Sequence, residues 1–164
     1  MDVRGWYVCY IRYQCWSPSM AVSKEALIRT MNTIVSDLEQ EGLIDNYFRM
    51  CEDLKDVNGP YYFANLLVTF IADTQNAILE LTRLLEQTPV NYHDLDQLAI
   101  KLRGKTSCIG ACALARAWLN LREGTQNENK ARCISSMNEV RHEFERIHAR
   151  LDAIVQLERD IVRW

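Results

Sequence analysis

Apolar positions along the chain recur mostly three and four residues apart, the spacing that lines one face of a helix. After Ser23, with Glu25 close behind, Leu27, Ile28, Met31, Ile34, Val35 and Leu38 keep that spacing until Gly42 and predict a first helix. Asp45 then opens a short second helix with Tyr47, Phe48, Cys51 and Leu54 on its inner side. Asn58-Gly59-Pro60 breaks the pattern, because proline suits the first turn of a helix and not its interior. A long third helix follows from about Tyr61 to Gln87, with Phe63, Leu66, Leu67, Phe70, Ile71, Ile78, Leu81 and Leu85 as its stripe.

Pro89 closes that helix, and a fourth is predicted from His93 or Asp94, carrying Leu95, Leu98, Leu102 and then Ile109 inward. A fifth runs from Cys112 to Glu123 around Leu114, Ala117, Trp118 and Leu121, and GTQNEN reads as a turn. The last runs from Asn129 almost to the end through Cys133, Met137, Val140, Phe144, Ile147, Leu151, Ile154 and Leu157. Long helices joined by short turns predict an all-α fold, an antiparallel four-helix bundle with two additional N-terminal helices at one end. Residues 20–164 are expected to form this domain. Residues 1–19, with the aromatic run GWYVCYIRYQCW, read as an appended segment that packs loosely, and Met20 is a possible domain start.

Composition changes this picture little: 48% of the 164 residues are hydrophobic and 25% charged, as in globular proteins. The net charge of −3 offers no basic field for nucleic acid, so no nucleic-acid partner is expected. No stretch is long and apolar enough for a bilayer, and Arg12 and Gln14 interrupt the N-terminal run, which disfavours a signal peptide. The six cysteines include no Cys-x-x-Cys pair, so free thiols in a reducing compartment are expected, with no metal.

One position of the fourth helix breaks the pattern. At about 100° per residue, Ile100 falls roughly 160° from the centre of the core stripe and points to solvent. His93, Asp96, Gln97, Arg103, Gly104 and Ser107 share its face. A glycine in a helix interior costs about 1 kcal/mol relative to alanine, which is sensible where something must approach closely.

The stretch IKLRGKTSCIGA, Ile100 to Ala111, resembles the signature of plant histidine-containing phosphotransfer proteins, approximately His-Gln-Leu-Lys-Gly-Ser-Ser-Ser-Ser-Ile-Gly-Ala. In that register the phosphoaccepting histidine falls on Ile100, and Lys101 and Lys105 replace a glutamine and a serine. The likeness extends through EGLIDNYFRMCEDLKD, NGPYYFANLLVTFIADTQNAILELTRLLEQ and the last helix, from about residue 22 onward. Members without the histidine are known as pseudo-phosphotransfer proteins, and the chain is similar to them.

The resemblance implies the same helical bundle. It implies as partners the receiver domains of hybrid sensor histidine kinases and response regulators in cytokinin-type phosphorelays, in cytoplasm and nucleus. It implies no cofactor. A relay histidine works because a neutral imidazole nitrogen can take a phosphoryl group from an aspartyl phosphate; a hydrocarbon has no such atom. Phosphotransfer at Ile100 is therefore expected to be nil, and the chain is expected not to be an enzyme. Receiver binding is expected through Gln97, Ile100, Lys101, Arg103, Gly104, Lys105 and Ser107, joined by exposed apolar residues such as Ile44 and Phe63. The expected role is a monomeric competitive decoy that occupies receivers without carrying phosphate.

Two alternatives stand beside it: residual transfer through another histidine such as His93, and a helical adaptor that no longer binds receivers. His93 lies about 10.5 Å from Ile100 along the axis, too far to replace the missing imidazole in place. The pairs Glu139-x-x-His142 and Glu145-x-x-His148 mimic half of a di-iron motif. Both sit on one helix, about 120° apart in azimuth, so they cannot close on one metal pair.

Overall fold

The structure is a computed structural model and describes residues 23–164. The expected N-terminal segment, 1–19, lies outside the described residues. Seven helices occur among them: α1 (Lys24–Gln40), α2 (Asn46–Asp53), α3 (Lys55–Asn58), α4 (Tyr62–Glu86), α5 (Tyr92–Cys108), α6 (Cys112–Gln126) and α7 (Lys130–Arg163).

Local chemistry sets the boundaries. Ser23, Asp45, Asn91 and Asn129 each accept a backbone N–H of the helix they open, satisfying a donor that the first turn leaves free. Gly59, at φ 101°, ends α3 in a conformation that side chains disfavour.

Helices α4 to α7 form the antiparallel bundle, and cross-helix contacts fix its direction. Asp73 pairs with Lys105 between α4 and α5, Asp96 with Arg122 between α5 and α6, and Asn120 with Glu139 between α6 and α7. Thr82 accepts from Arg141 between α4 and α7. At 34 residues α7 is about 51 Å long, twice the length of its neighbour α6. Its C-terminal half carries α1, which runs antiparallel to it: Glu41, after α1, pairs with Arg150 at 2.8 Å, while Leu27 lies beside Asp160 and Trp164.

One core runs through all of this. Trp118, Leu81, Leu95, Leu121, Val140 and Ile154 are fully buried, and the stripes predicted for α4, α6 and α7 supply most of the rest. Glu158 is also buried, and its carboxylate is met by Lys55 at 2.8 Å, which ties α3 to the end of α7. Burial opposes the charge on Lys55, but hydrogen bonds to Glu158 and Glu52 outweigh it and raise the pKa above its ordinary value.

Three local expectations need correction. The one-turn helix α3 was not predicted; four residues without a side-chain cap leave no periodic signature. Helix α6 continues through Gly124-Thr125-Gln126 instead of ending at Glu123. Gly124 lets α7 approach so closely that an added Cβ would meet the Cys133 Sγ at 3.0 Å, and the Thr125 hydroxyl bonds Arg122 O and Asp96. In α2 only Phe48 is buried, so Tyr47 and Leu54, expected inside, face outward.

Candidate functional site

The outer face of α5 is built by its inner one. Leu95, Ala99, Leu102 and Thr106 turn into the core, and Thr106 satisfies its buried hydroxyl by donating to Leu102 O at 2.7 Å. A helix so oriented must present Gln97, Ile100, Lys101, Arg103, Gly104 and Ser107 outward, and all six are exposed. Ile100 is 38% exposed in the middle of the helix and borders a shallow groove between α4 and α5, with Arg83, Leu84, Gln97 and Lys101 around it. Asp96 departs from the predicted grouping: Arg122 and Thr125 each hold it at 3.1 Å against α6.

Gly104 has no heavy atom within 4 Å of where a Cβ would stand. No packing among the described residues explains this glycine, and among them the surface above it is open to an approaching molecule. Gly110 is different. At φ 80° it turns the chain from α5 to α6, and an added Cβ would meet Phe48 N at 2.4 Å and Asp45 Oδ1 at 2.9 Å. The first half of the IKLRGKTSCIGA stretch is therefore surface, and its last three residues, all buried, seat α2.

The three cations of the stretch are not equivalent. Lys105 is bound to Asp73 of α4, whereas Lys101 and Arg103 form no ion pair among the described residues. Along the groove, Arg83 hydrogen-bonds Glu80 and holds its carboxyl below the ordinary carboxylate value.

The expectation that Ile44 and Phe63 contribute exposed contact area is overturned: they are 3% and 0% exposed. Phe63 is spent on an edge-to-face contact with Phe48, the ring centroids 5.4 Å apart. Ile44 lies in a link pinned at both sides, by Ala113 N to Leu43 O and by Asp45 N to Gly110 O. Exposed apolar surface comes instead from Tyr47 and Met50 of α2 and from Leu54 just after it, with Val57 and Tyr61 beyond. Between this patch and α5 lies an apolar pocket of about 490 Å³ lined by Leu54, Leu66, Phe70, Lys105 and Cys108 among others. An available signal was α2's surplus of apolar residues, more than a two-turn helix can turn inward.

None of the three histidines takes the place of Ile100. His93 is in the first turn of α5, two turns away, and His142 and His148 are on α7. His148 stacks on Phe144 and lies 3.3 Å from Asp152, while Glu139 accepts from Asn120. Among the described residues no group of three metal-binding side chains occurs, and no helix is long and apolar enough to cross a membrane.

No protein-family model matches the chain. It is 28% identical over 136 residues to histidine-containing phosphotransfer protein 1 of Oryza sativa subsp. japonica, covering 83% of this chain and 92% of that protein. It is 25% identical over 134 residues to pseudo histidine-containing phosphotransfer protein 1 of the same organism, covering 82% and 72%. Among solved structures, a histidine-containing phosphotransfer protein from rice superposes with a TM-score of 0.80 at 25% identity, over 84% of this chain and 97% of that one. The homologues of this helical bundle are plant histidine-containing phosphotransfer proteins, pseudo members included, at about 25% identity.

Proposed function

We propose that the chain is a pseudo-phosphotransfer protein that binds receiver domains of cytokinin-type phosphorelays without accepting phosphate, and so acts as a competitive negative regulator. The observation that carries this reading is Ile100, a hydrocarbon exposed at the middle of the α5 face where the family's signature places its histidine. Phosphoryl transfer depends on positioning and charge neutralisation around a nucleophile, and neither can supply an absent one. The partners are receiver domains of hybrid sensor kinases and response regulators, in cytoplasm and nucleus.

Docking uses Gln97, Ile100, Lys101, Arg103, Gly104 and Ser107 on α5. The apolar contact comes from Met50 of α2 and its C-cap Leu54 in place of the buried Ile44 and Phe63. Lys101 and Arg103 steer the acidic receiver pocket into register, while Lys105 acts through its pair with Asp73.

The test is a binding titration against a phosphorylated receiver domain, with the label followed in the same sample. Saturable binding with all label left on the receiver is expected. Label appearing on His93 would replace this reading with residual transfer, and absence of binding would leave a helical adaptor.

A further inference from the structure

Two cysteines from separate elements line the pocket between α2 and α5. Cys51, half buried on α2, donates its S–H to the carbonyl oxygen of Cys108 at 3.2 Å, and Cys108, the last residue of α5, is exposed. From that oxygen, one C=O and one Cα–C bond of about 1.2 and 1.5 Å lead to the Cys108 Cα. The Cys51 sulfur therefore lies within about 6 Å of it, a gap that side-chain rotation and a small backbone shift must close for an S–S bond to form. Leu54, Leu66 and Phe70 line the same pocket, of about 490 Å³, beside the two cysteines. The other described cysteines are engaged elsewhere: the Cys112 thiol meets Gly42 O at 3.3 Å, and Cys133 is fully buried against Gly124.

We propose that Cys51 and Cys108 are a redox modification site that closes to an intramolecular disulfide under hydroperoxide. The exposed Cys108, as thiolate, attacks one peroxide oxygen; the O–O bond breaks, leaving Cys108 sulfenic acid and, after protonation, water. The Cys51 sulfur then attacks the Cys108 sulfur, the S–S bond forms, the S–O bond breaks, and the departing hydroxide takes the Cys51 proton as a second water. Two thiols lose two electrons and two protons, and one hydrogen peroxide gains them. Burial first, then the neighbouring Cys108 and Asp45, holds the Cys51 thiol above its ordinary pKa, which keeps it protonated and leaves the first attack on peroxide to the exposed Cys108. The product staples α2 to the end of α5 at the edge of the face assigned above to receiver docking.

Treat the reduced full chain with hydrogen peroxide and digest it without reductant. The expected result is a loss of about 2 Da from the intact mass, reversed by dithiothreitol, and a peptide joining Cys51 to Cys108. Cys51→Ser and Cys108→Ser should each lack that peptide, and in Cys51→Ser dimedone should trap a sulfenic acid on Cys108. Full oxidation with these two cysteines unlinked, or linkage of either to a different cysteine, overturns the proposal. The readout is mass alone, so its outcome is separate from that of the receiver titration.

Discussion

The amide of Asp45 donates to the carbonyl of Gly110 at 2.9 Å, so the cap of α2 and the turn from α5 to α6 are one joint. Gly110 permits it twice over, by its positive φ and by lacking a Cβ that would strike Phe48. Gly110→Ala should cost about 2–4 kcal/mol, combining left-handed strain with overpacking. Urea unfolding measures it; a loss under about 0.5 kcal/mol would mean that α2 shifts freely.

Gly104→Ala should act in the opposite direction on stability. With nothing within 4 Å, the new methyl meets no clash and the helix gains up to about 1 kcal/mol. On the proposed reading the same methyl intrudes where a receiver approaches, so affinity should fall as stability rises. Parallel urea and titration curves separate the two effects, and unchanged affinity would remove Gly104 from the docking face.

Ile100→His places an imidazole at the exposed position where the resembled signature carries its histidine, with Lys101 and Lys105 still in place of a glutamine and a serine. Label from a phosphorylated receiver should then appear on the chain, acid-labile and absent from wild type. A labelled wild type, or an unlabelled variant that still binds receivers, would count against the assignment of this position.

Charge reversal should discriminate among the cations. Arg103 makes no ion pair among the described residues, so Arg103→Glu should weaken receiver binding about tenfold or more and flatten its dependence on salt. Lys105→Ala should have a smaller effect, because that ammonium is already neutralised by Asp73. Titrations at two salt concentrations decide, and equal effects would show that the Asp73 pair does not matter for docking.

Acid should loosen α2 from α1. Arg49 holds Glu39 with two hydrogen bonds, Nε to Oε1 at 2.6 Å and Nη2 to Oε2 at 2.8 Å. The hydrogen bond, against slight desolvation and with the charge of Arg49, lowers the Glu39 pKa from its ordinary 4.5. A depressed carboxyl binds fewer protons folded than unfolded, so its contribution is present above pH 4.5 and lost as pH falls through the folded value. Glu39→Gln should cost about 0.5–1 kcal/mol at neutral pH, less in high salt because the pair is partly exposed, and nothing in strong acid. Urea unfolding across the acid range checks this; a constant deficit would point to packing instead of charge.

The long helices were legible because one buried stripe per helix repeats over several turns, as in α4 and α7. Periodicity also gave the outward direction of Ile100, since Leu95 and Leu102 fix the phase of α5. Short elements defeated it. In α2, eight residues hold too few turns to define a phase, and Tyr47, Phe48, Cys51 and the following Leu54 fit an inner stripe that only Phe48 fully occupies. Ile44 was misplaced for a related reason: hydrophobicity says that a residue seeks cover, and only the tertiary contacts of Leu43 and Asp45 reveal that it has found it. Phe63 stood on the inner stripe read for its own helix, and expecting it at the docking surface ran against that periodicity. The fate of the cations was equally hidden, because Lys105 and Asp73 lie 32 positions apart.

The length of α7 makes it a shared spine. Its first half belongs to the bundle and its second half to α1, with no break between. A fragment beginning at Tyr62 would keep the α5 face yet strip the lid from Leu151, Ile154 and Val155, leaving a sticky rod end in place of a soluble one. By covering that end of α7, helix α1 keeps the molecule from offering a second apolar surface besides the proposed docking face.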